Sequence, residues 1–414
     1  MSLLFFAVIL NDGQSLYAAL DLVFFVIRSG GDSGTAKRAV TERVRSLYGV
    51  DSVYFPVAGS LCTADYGVNL RLFSGSEQCR EFASSFAMHS VVRRFCPFYS
   101  LGQSMGTKAF RFIDALHRTL NQRATSLFTA HRTPQSVYKP AVTANADELF
   151  AAAIAAAFYK LFGREMAAEN VRCFESGRVS LAVIGAFPPL FLDFFGDFFP
   201  SKYWAMASLW RSFILEDEAV RGIVVRLAAE HGLDQSARAL DHCVNSLAAE
   251  VLPGCAGIAA AVAVGLEQFN SAQGEQQRAA FRANPEHFAV ECIRMDGTPY
   301  SARTVLSEWT QIEVEGTDHA LHRGNCILSD MATIGRCPLR FGPNPNEFDS
   351  KRGNLTADPI LFGSTEQLIR SGEAVKQCPL HDFSIMMVQE MLARIAGIQC
   401  DVMYNGQRFE KSYQ

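Results

Sequence analysis

One cysteine, Cys378, lies in a polar loop that runs directly into a helix-forming stretch. The next residue, Pro379, suits the first turn of a helix. Apolar side chains then recur every four positions and predict one buried helical face, at Phe383, Met387, Met391 and Ile395. Unpaired N–H groups and the helix dipole favour a thiolate over a thiol at such a position. A thiolate there is a good axial ligand for heme iron, whereas a lone buried cysteine is more often a small, inert hydrophobic residue.

The second set of chemically informative residues is one carboxylate and two guanidinium groups. Glu291 and Arg294 are three residues apart, which places them on one face of the helix predicted over 284–295. Exposed pairs at this spacing are common and contribute little to stability. Downstream come a strand region and an irregular segment rich in Pro and Asn, which ends in Phe-Asp-x-x-Arg with Arg352 as its last residue. The order of these motifs, completed by the Cys378 loop, is more informative than any one of them.

The elements that must position these residues are mostly helical. We predict small β regions near residues 50–75 and 298–328, and a helical core over 76–297 and 379–397. Strands segregated from a helical core are typical of a mainly α, or α+β, architecture. No internal repeat or low-complexity linker divides the sequence, so we predict one large domain over residues 1–414.

The longest predicted helix, Leu247–Phe269, is very apolar and has small residues at its centre. These are Ala256, Gly257 and Ala260, and we expect Pro253 to kink the helix just before them. Small side chains at this place would let a flat or bulky group approach the helix backbone. Close packing between helices explains the same composition, so both interpretations stay open at this point.

Two other segments also leave alternatives open. In the helix predicted over 110–128, His117 and Arg118 are either solvated polar residues or point inward at an anionic group such as a cofactor carboxylate. For Arg123 on the same helix we expect a solvated charge. The aromatic-rich stretch Phe187–Pro200 is either packed core or an apolar lid over a lipophilic pocket.

Composition excludes several classes of protein. The chain has 49% hydrophobic and 19% charged residues and a net charge of −4, and it contains no basic run, which argues against a nucleic-acid partner. Its eleven cysteines are scattered and form no C-x-x-C pair, which favours reduced thiols in the cytoplasm over disulfides or a zinc site. The apolar N-terminal runs are shorter than the ~20 residues that span a bilayer. We therefore expect a cytoplasmic protein, with peripheral membrane contact as the alternative.

The ordered motifs resemble the cytochrome P-450 superfamily over roughly residues 245–397. In that family the Glu-x-x-Arg pair bonds to an Arg of the irregular segment, beneath the loop that carries the heme ligand. The resemblance therefore implies a P-450-like fold, heme b as cofactor, Cys378 as axial ligand of the iron, and a structural triad of Glu291, Arg294 and Arg352. It further implies contacts with the heme propionates for Arg303, Lys376, His117 and Arg118.

Two departures from the family pattern bear on the predicted mechanism. The usual Phe-x-x-Gly-x-Arg-x-Cys-x-Gly loop is reduced to Lys376 and Cys378, whose Lys-Gln-Cys resembles the allene oxide synthase and hydroperoxide lyase group. On the long helix, Ala259 and Ala260 replace the acid–alcohol pair with which ordinary monooxygenases deliver protons to dioxygen.

These departures imply a heme-thiolate oxidoreductase, or a lyase or isomerase, that acts on a lipophilic small molecule. Its oxidant would be peroxide or a fatty-acid-like hydroperoxide, and a redox partner would then not be required. An ordinary monooxygenase that depends on dioxygen and a reductase is the first alternative. A non-catalytic heme carrier or sensor is the second.

Overall fold

The computed structural model describes residues 52–55, 60–63, 82–84, 115–177 and 200–410, the last two ranges with gaps of which 363–377 is the longest. Predictions for the N-terminal 51 residues and for the aromatic-rich stretch before Pro200 lie outside the described residues.

Helices make up most of the described chain. The α-helices are α1 (Ala146–Phe162), α2 (Ala168–Phe174), α3 (Pro200–Glu216), α4 (Glu218–Glu230), α5 (Ala237–Asn270), α6 (Gly274–Ala283), α7 (Pro285–Cys292), α8 (Pro338–Phe341) and α9 (His381–Ile395). A 3₁₀ helix, Gln135–Ala141, precedes α1, and a π-helical turn, Ile293–Gly297, follows α7. The described residues between 115 and 128 are also helical. The prediction of a helical core is confirmed over these ranges.

The strands that the structure describes form one larger sheet and two hairpins. They are β1 (Ser52–Phe55), β2 (Ser60–Thr63), β3 (Phe82–Ser84), β4 (Ser301–Val305), β5 (Trp309–Val314), β6 (Thr317–His322), β7 (Cys326–Ser329), β8 (Val402–Tyr404) and β9 (Gln407–Glu410). The larger sheet has the order β1-β2-β7-β4-β3, and β2 pairs with β7 in parallel with Ser60 opposite Cys326. Strands from both predicted β regions therefore share one sheet, while β5 and β6 of the second region form a separate hairpin.

Two strand regions were not predicted from the sequence. Strand β3 lies inside the stretch predicted to be helical from residue 76, where it pairs antiparallel with β4. The β8–β9 hairpin lies beyond residue 328, after which no strand was predicted. Both corrections have the same physical reason, since strands of three or four residues are too short to show an alternating pattern and depend on pairing with distant segments.

Helix α1 is buried on all sides, as its alanine-rich sequence predicts. The Asn145 side chain accepts a hydrogen bond from the Asp147 N–H and caps its start. Gly163 ends it with a φ of 71°, a left-handed conformation that glycine adopts without strain. A helix that is apolar around its whole circumference belongs in the interior of a large protein. Helix α1 accordingly packs against α5, α9 and the 3₁₀ helix.

Helix α5 is the central element of the fold. It has 34 residues, begins ten residues before the predicted start, and continues through Pro253. By length and composition alone the stretch Val251–Asn270 could cross a membrane, but half of it is buried inside the protein. Helices α1, α3, α4, α6, α7 and α9 all contact α5. This packing accounts for its apolar composition as that of a core helix.

Helices α5, α7 and α9 approach each other closely at one glycine. A Cβ atom at Gly265 of α5 would lie 2.6 Å from a methyl carbon of Leu392 in α9 and 3.2 Å from the Cys292 sulfur in α7. Neither distance leaves room for a side chain unless the Leu392 and Cys292 side chains move. The three helices that carry the candidate site are therefore held together by direct contact.

Candidate functional site

Glu291 and Arg294 form a fully buried ion pair on α7 and the π-helical turn after it. Arg294 Nε donates to Glu291 Oε2 at 2.6 Å, and Arg294 Nη2 donates to Glu291 Oε1 at 2.7 Å. Both side chains have 0% exposure. This fork geometry matches the two oxygens of a carboxylate and gives a charge-assisted pair. The Glu291–Arg294 pair is therefore not of the exposed, weakly stabilising kind that is common at this spacing.

The remaining donors of Arg294 are satisfied by the irregular segment that precedes Arg352. Arg294 Nη1 donates to the carbonyl oxygens of Gly335 and Pro345, each at 2.6 Å, and Nη2 donates to the Glu347 carbonyl at 3.0 Å. A buried charge is tolerated only when its hydrogen-bonding capacity is filled in this way. Arg294 thus ties three points of the irregular segment to the end of α7.

Arg352 completes the network from the other side of the carboxylate. Its Nε donates to Glu291 Oε1 at 3.3 Å, while Nη1 donates to the Phe341 carbonyl at 2.6 Å and Nη2 to the Glu347 carbonyl at 2.8 Å. The backbone N–H of Asp349 also donates to Glu291 Oε1, at 2.7 Å. The structure therefore brings Glu291, Arg294 and Arg352 together in one network.

Gly335 is required by the close approach of this segment to α7. A Cβ atom at position 335 would collide with the Arg294 carbonyl oxygen. Its own carbonyl accepts from the Arg294 guanidinium. A residue without a side chain is the solution that lets the backbone come within hydrogen-bonding range here.

Cys378 lies three residues before His381, the first residue of α9, close to the helix start that the sequence predicts. It is a half-buried cysteine outside any disulfide, and its backbone N–H donates to the Phe362 carbonyl at 2.7 Å. Its carbonyl accepts from the N–H of His381, the first residue of α9, at 3.2 Å. The His381 and Phe362 rings meet edge to face with centroids 4.2 Å apart. These contacts fix the backbone of Cys378 relative to the start of the helix.

Other described cysteines are placed differently. Cys255 on α5 and Cys292 on α7 are buried in the apolar core, and burial raises the pKa of both thiols well above the ordinary value. The Glu291 carboxylate adds to the raised pKa of Cys292. Neutral thiols of this kind are inert packing residues. Cys378 differs from both in being half exposed and in lying at a helix N-terminus.

The small residues predicted to line a pocket lie on the central helix. Ala256 and Ala260 are half-buried and one turn apart, while Gly257 and Ala259 are buried. The half-buried positions continue one turn further at Ala263, so they form one stripe along α5. A stripe of small side chains that keep some exposure in the core of the fold lets a flat group approach the helix. This arrangement fits the heme that the fold family implies.

The predicted ligands of the propionates are not brought together within the described residues. Arg303 lies in β4 opposite Ile327 of β7, and only its backbone is described. His117, Arg118 and Lys376 lie outside the described residues. The roles assigned to these four residues stay predictions.

Sequence reasoning missed one group of buried charges and misplaced another residue. Lys160 on α1 and Glu390 on α9 form an ion pair of 2.9 Å, with both side chains at 0% exposure. A signal was present, because each charge interrupts an otherwise apolar helical stretch. Arg123, expected to be solvated, is half-buried and its Nε donates to the Leu161 carbonyl in the last turn of α1, at 3.3 Å.

Comparison with known proteins gives the fold. No family model matches the sequence, and no curated protein does. Among solved structures, the chain is similar to CYP154C4 from Streptomyces, with a TM-score of 0.54 and 13% identity over 91% of this chain and 93% of that chain. It is also similar to P450BioI in complex with an acyl carrier protein ligated with hexadec-9Z-enoic acid, with a TM-score of 0.55 and 12% identity over 90% and 96%. A mutant of cytochrome P450SP alpha (CYP152B1) gives a TM-score of 0.55 and 15% identity over 86% and 88%.

All three are cytochrome P-450 structures, and each covers most of both chains. Their low identity limits what is shared to the arrangement of the elements. The chain therefore has the cytochrome P-450 fold, which confirms the mainly α architecture and the resemblance carried by its ordered motifs.

Proposed function

We propose that the protein binds heme b through the Cys378 thiolate and carries out an oxidative transformation of a lipophilic small molecule. The observation that carries the proposal is the position of Cys378 at the start of α9 within the P-450 fold, half-buried and hydrogen-bonded at its backbone on both sides. Bound heme would supply the iron centre for oxygen transfer or rearrangement of a hydroperoxide.

The residues of the chain have separate tasks in this proposal. The N-terminus of α9 favours the charged form of Cys378, because the positive end of the helix dipole is the end nearest this residue. Glu291, Arg294 and Arg352 hold the irregular segment against α7. The stripe that contains Ala256 and Ala260 leaves room for a flat group. Arg303, Lys376, His117 and Arg118 are the proposed partners of its propionates.

The oxidant is proposed from what the central helix lacks. Ala259 and Ala260 have no group that donates or accepts a proton, and acid–base assistance of that kind is typically worth about 10²–10⁴-fold in rate. An oxidant with an O–O bond already formed avoids that requirement. Peroxide or a fatty-acid-like hydroperoxide is therefore the proposed oxidant, and no redox partner is needed.

The substrate class is proposed on similarity. One of the similar structures is a complex that holds hexadec-9Z-enoic acid on an acyl carrier protein, so this fold accommodates a long acyl chain in that protein. For this chain we propose a lipophilic substrate of comparable character. The proposed location is the cytoplasm, in keeping with six cysteines whose side chains the structure describes outside any disulfide.

The absorption spectrum of the purified protein tests the heme proposal. We expect a Soret band, and in the reduced carbon monoxide complex the long-wavelength band typical of thiolate ligation. Cys378→Ser should abolish that band. Cys173→Ser is the matched control, because Cys173 is also a half-buried cysteine outside any disulfide but lies on α2. A wild-type protein without heme, or a thiolate band that survives in Cys378→Ser, would contradict the proposal.

A turnover assay separates the oxidants. The same protein is given a fatty-acid hydroperoxide without an electron donor, hydrogen peroxide with a fatty acid, or dioxygen with a reductase. We expect product in one of the first two reactions. Product only in the third would favour the ordinary monooxygenase, and a heme-loaded protein inactive in all three would favour a heme carrier or sensor.

A further inference from the structure

A buried cluster of polar side chains lies around Glu390 in the second half of α9. Glu390 Oε2 pairs with Lys160 Nζ at 2.9 Å, and Glu390 Oε1 accepts a hydrogen bond from the Tyr138 hydroxyl at 2.7 Å. The Lys160 ammonium also lies 4.1 Å from the centre of the Phe128 ring. Both charged side chains have 0% exposure and Tyr138 has 2%. The cluster is therefore fully enclosed in the core, and the charges of Lys160 and Glu390 cancel.

Each member of the cluster comes from a different element. Tyr138 lies on the 3₁₀ helix, Lys160 on α1, Glu390 on α9, and Phe128 at the end of the helical residues between 115 and 128. The cluster thus joins α9 to three elements far earlier in the chain. Because successive helical residues are rotated by about 100°, a shift of α9 by one residue would turn Glu390 away from Lys160. The contacts accordingly fix the rotation of α9 as well as its distance from α1.

Neighbouring residues hold the same part of α9 on other sides. The Gln389 amide both accepts from and donates to the backbone of Met403 in β8, each at 2.8 Å. Arg394 Nη2 donates to the Thr133 carbonyl at 2.8 Å, and Gln135 Nε2 donates to the Arg394 carbonyl. The second half of α9 is therefore held by directional polar contacts, while its first residue contacts Cys378.

Stability alone does not explain the ion pair. Two charges lose their hydration on burial, and apolar side chains of similar size would often stabilise the core as well or better. An ion pair combined with the hydrogen bond from Tyr138 to Glu390 can also specify one register of the helices, which apolar packing does less well. The cluster contacts α9, the helix whose first residue is hydrogen-bonded to Cys378. A change in the register of α9 would therefore move the backbone at Cys378.

We propose that Lys160, Glu390 and Tyr138 are positioning residues that hold α9 in the register that presents Cys378. The part of this proposal that concerns the iron ligand rests on the proposed function, and the part that concerns the backbone at Cys378 does not. Lys160 and Glu390 act through α9 and are not themselves at the reacting centre.

Four variants test the proposal in the full-length protein. Lys160→Met and Glu390→Gln each leave one buried charge unpaired, and Lys160→Met with Glu390→Met removes both charges together. Arg226→Met is the matched control, because Arg226 pairs with Glu230 on the exposed face of α4. The readouts are denaturant unfolding, hydrogen exchange of peptides that cover residues 378–384, and the thiolate band of the reduced carbon monoxide complex.

The double variant carries the decisive result. We expect both single variants to unfold at lower denaturant and the double variant to recover most of that loss, since no charge is left unpaired. Hydrogen exchange at 378–384 should nevertheless stay at least about tenfold faster in the double variant than in wild type, because the directional contacts are absent. The fraction of thiolate-type complex should fall as well.

Two results would overturn the proposal. The first is a double variant whose hydrogen exchange at 378–384 and thiolate band equal those of wild type, which would make the cluster a matter of stability alone. The second is acceleration of the same size in Arg226→Met. If the single variants do not fold, the comparison of the double variant with wild type still tests the positioning role. A wild-type protein that lacks heme contradicts the proposed function, whereas the exchange comparison still tests the positioning role.

Discussion

Two fully buried ion pairs within the described part of the chain differ in construction. Glu291 and Arg294 are three residues apart in the sequence, on α7 and the π-helical turn that follows it, and their pair is completed by backbone carbonyls of an irregular segment. The Lys160–Glu390 pair joins two helices and is completed by other side chains, the Tyr138 hydroxyl and the Phe128 ring. The first network holds in place a largely irregular segment of the chain. The second fixes the relative position of helices that are already formed.

This difference predicts different consequences when a partner is removed. Around Glu291 the two arginines and the Asp349 N–H all converge on one carboxylate, so its loss leaves several donors without an acceptor at once. Around Glu390 each loss removes one contact from a helix that remains packed against α5 and α7. We therefore expect changes at Glu291 to be the more damaging.

The largest effect is expected from Glu291→Gln. The variant keeps the size of the side chain. It leaves the guanidinium charges of Arg294 and Arg352 without the carboxylate that both of them pair with. Removal of one partner of a buried ion pair costs about 3–5 kcal/mol of unfolding free energy. Urea unfolding measures the change, and Glu308→Gln is the control because Glu308 pairs with Arg323 at the surface. A loss at Glu291 as small as that in the control would mean that the network is not essential to the fold.

A smaller effect is expected from Tyr138→Phe. The change removes only the hydroxyl that donates to Glu390, while the ion pair with Lys160 stays in place. A hydrogen bond to a charged group contributes about 1.5–3 kcal/mol to stability. Unfolding experiments with Tyr138→Phe in the wild-type and Glu390→Gln backgrounds measure the coupling between the two residues. Equal losses in both backgrounds would show that the hydroxyl does not act through the carboxylate.

The sequence predicts one of the two networks, and the reason is local. Glu291 and Arg294 are recognisable because helical spacing alone places them together, and Arg352 enters through the order of the motifs. Helix α9 is predicted by its apolar periodicity, and α5 is predicted from residue 247 onward by its apolar composition. The pairing of Tyr138 with Glu390 spans 252 residues and has no local pattern, so it appears only when the helices pack. Strand β3 was missed for the same reason, since its stability comes from a distant partner.

The smallest effect is expected at the surface, and it separates burial from charge. Arg226 and Glu230 lie four residues apart on α4, with side chains 61% and 55% exposed and a distance of 3.7 Å. Both charges keep most of their hydration, so their attraction is screened and a pair of this kind is worth only about 0.3–0.5 kcal/mol. A double-mutant cycle with Arg226→Met and Glu230→Gln measures this coupling, and added salt should reduce it further.

The same cycle at Lys160 and Glu390 should give a coupling several times larger and little affected by salt, because neither side chain has contact with solvent. Equal couplings at the two sites would show that the enclosure of Lys160 and Glu390 adds nothing to their attraction.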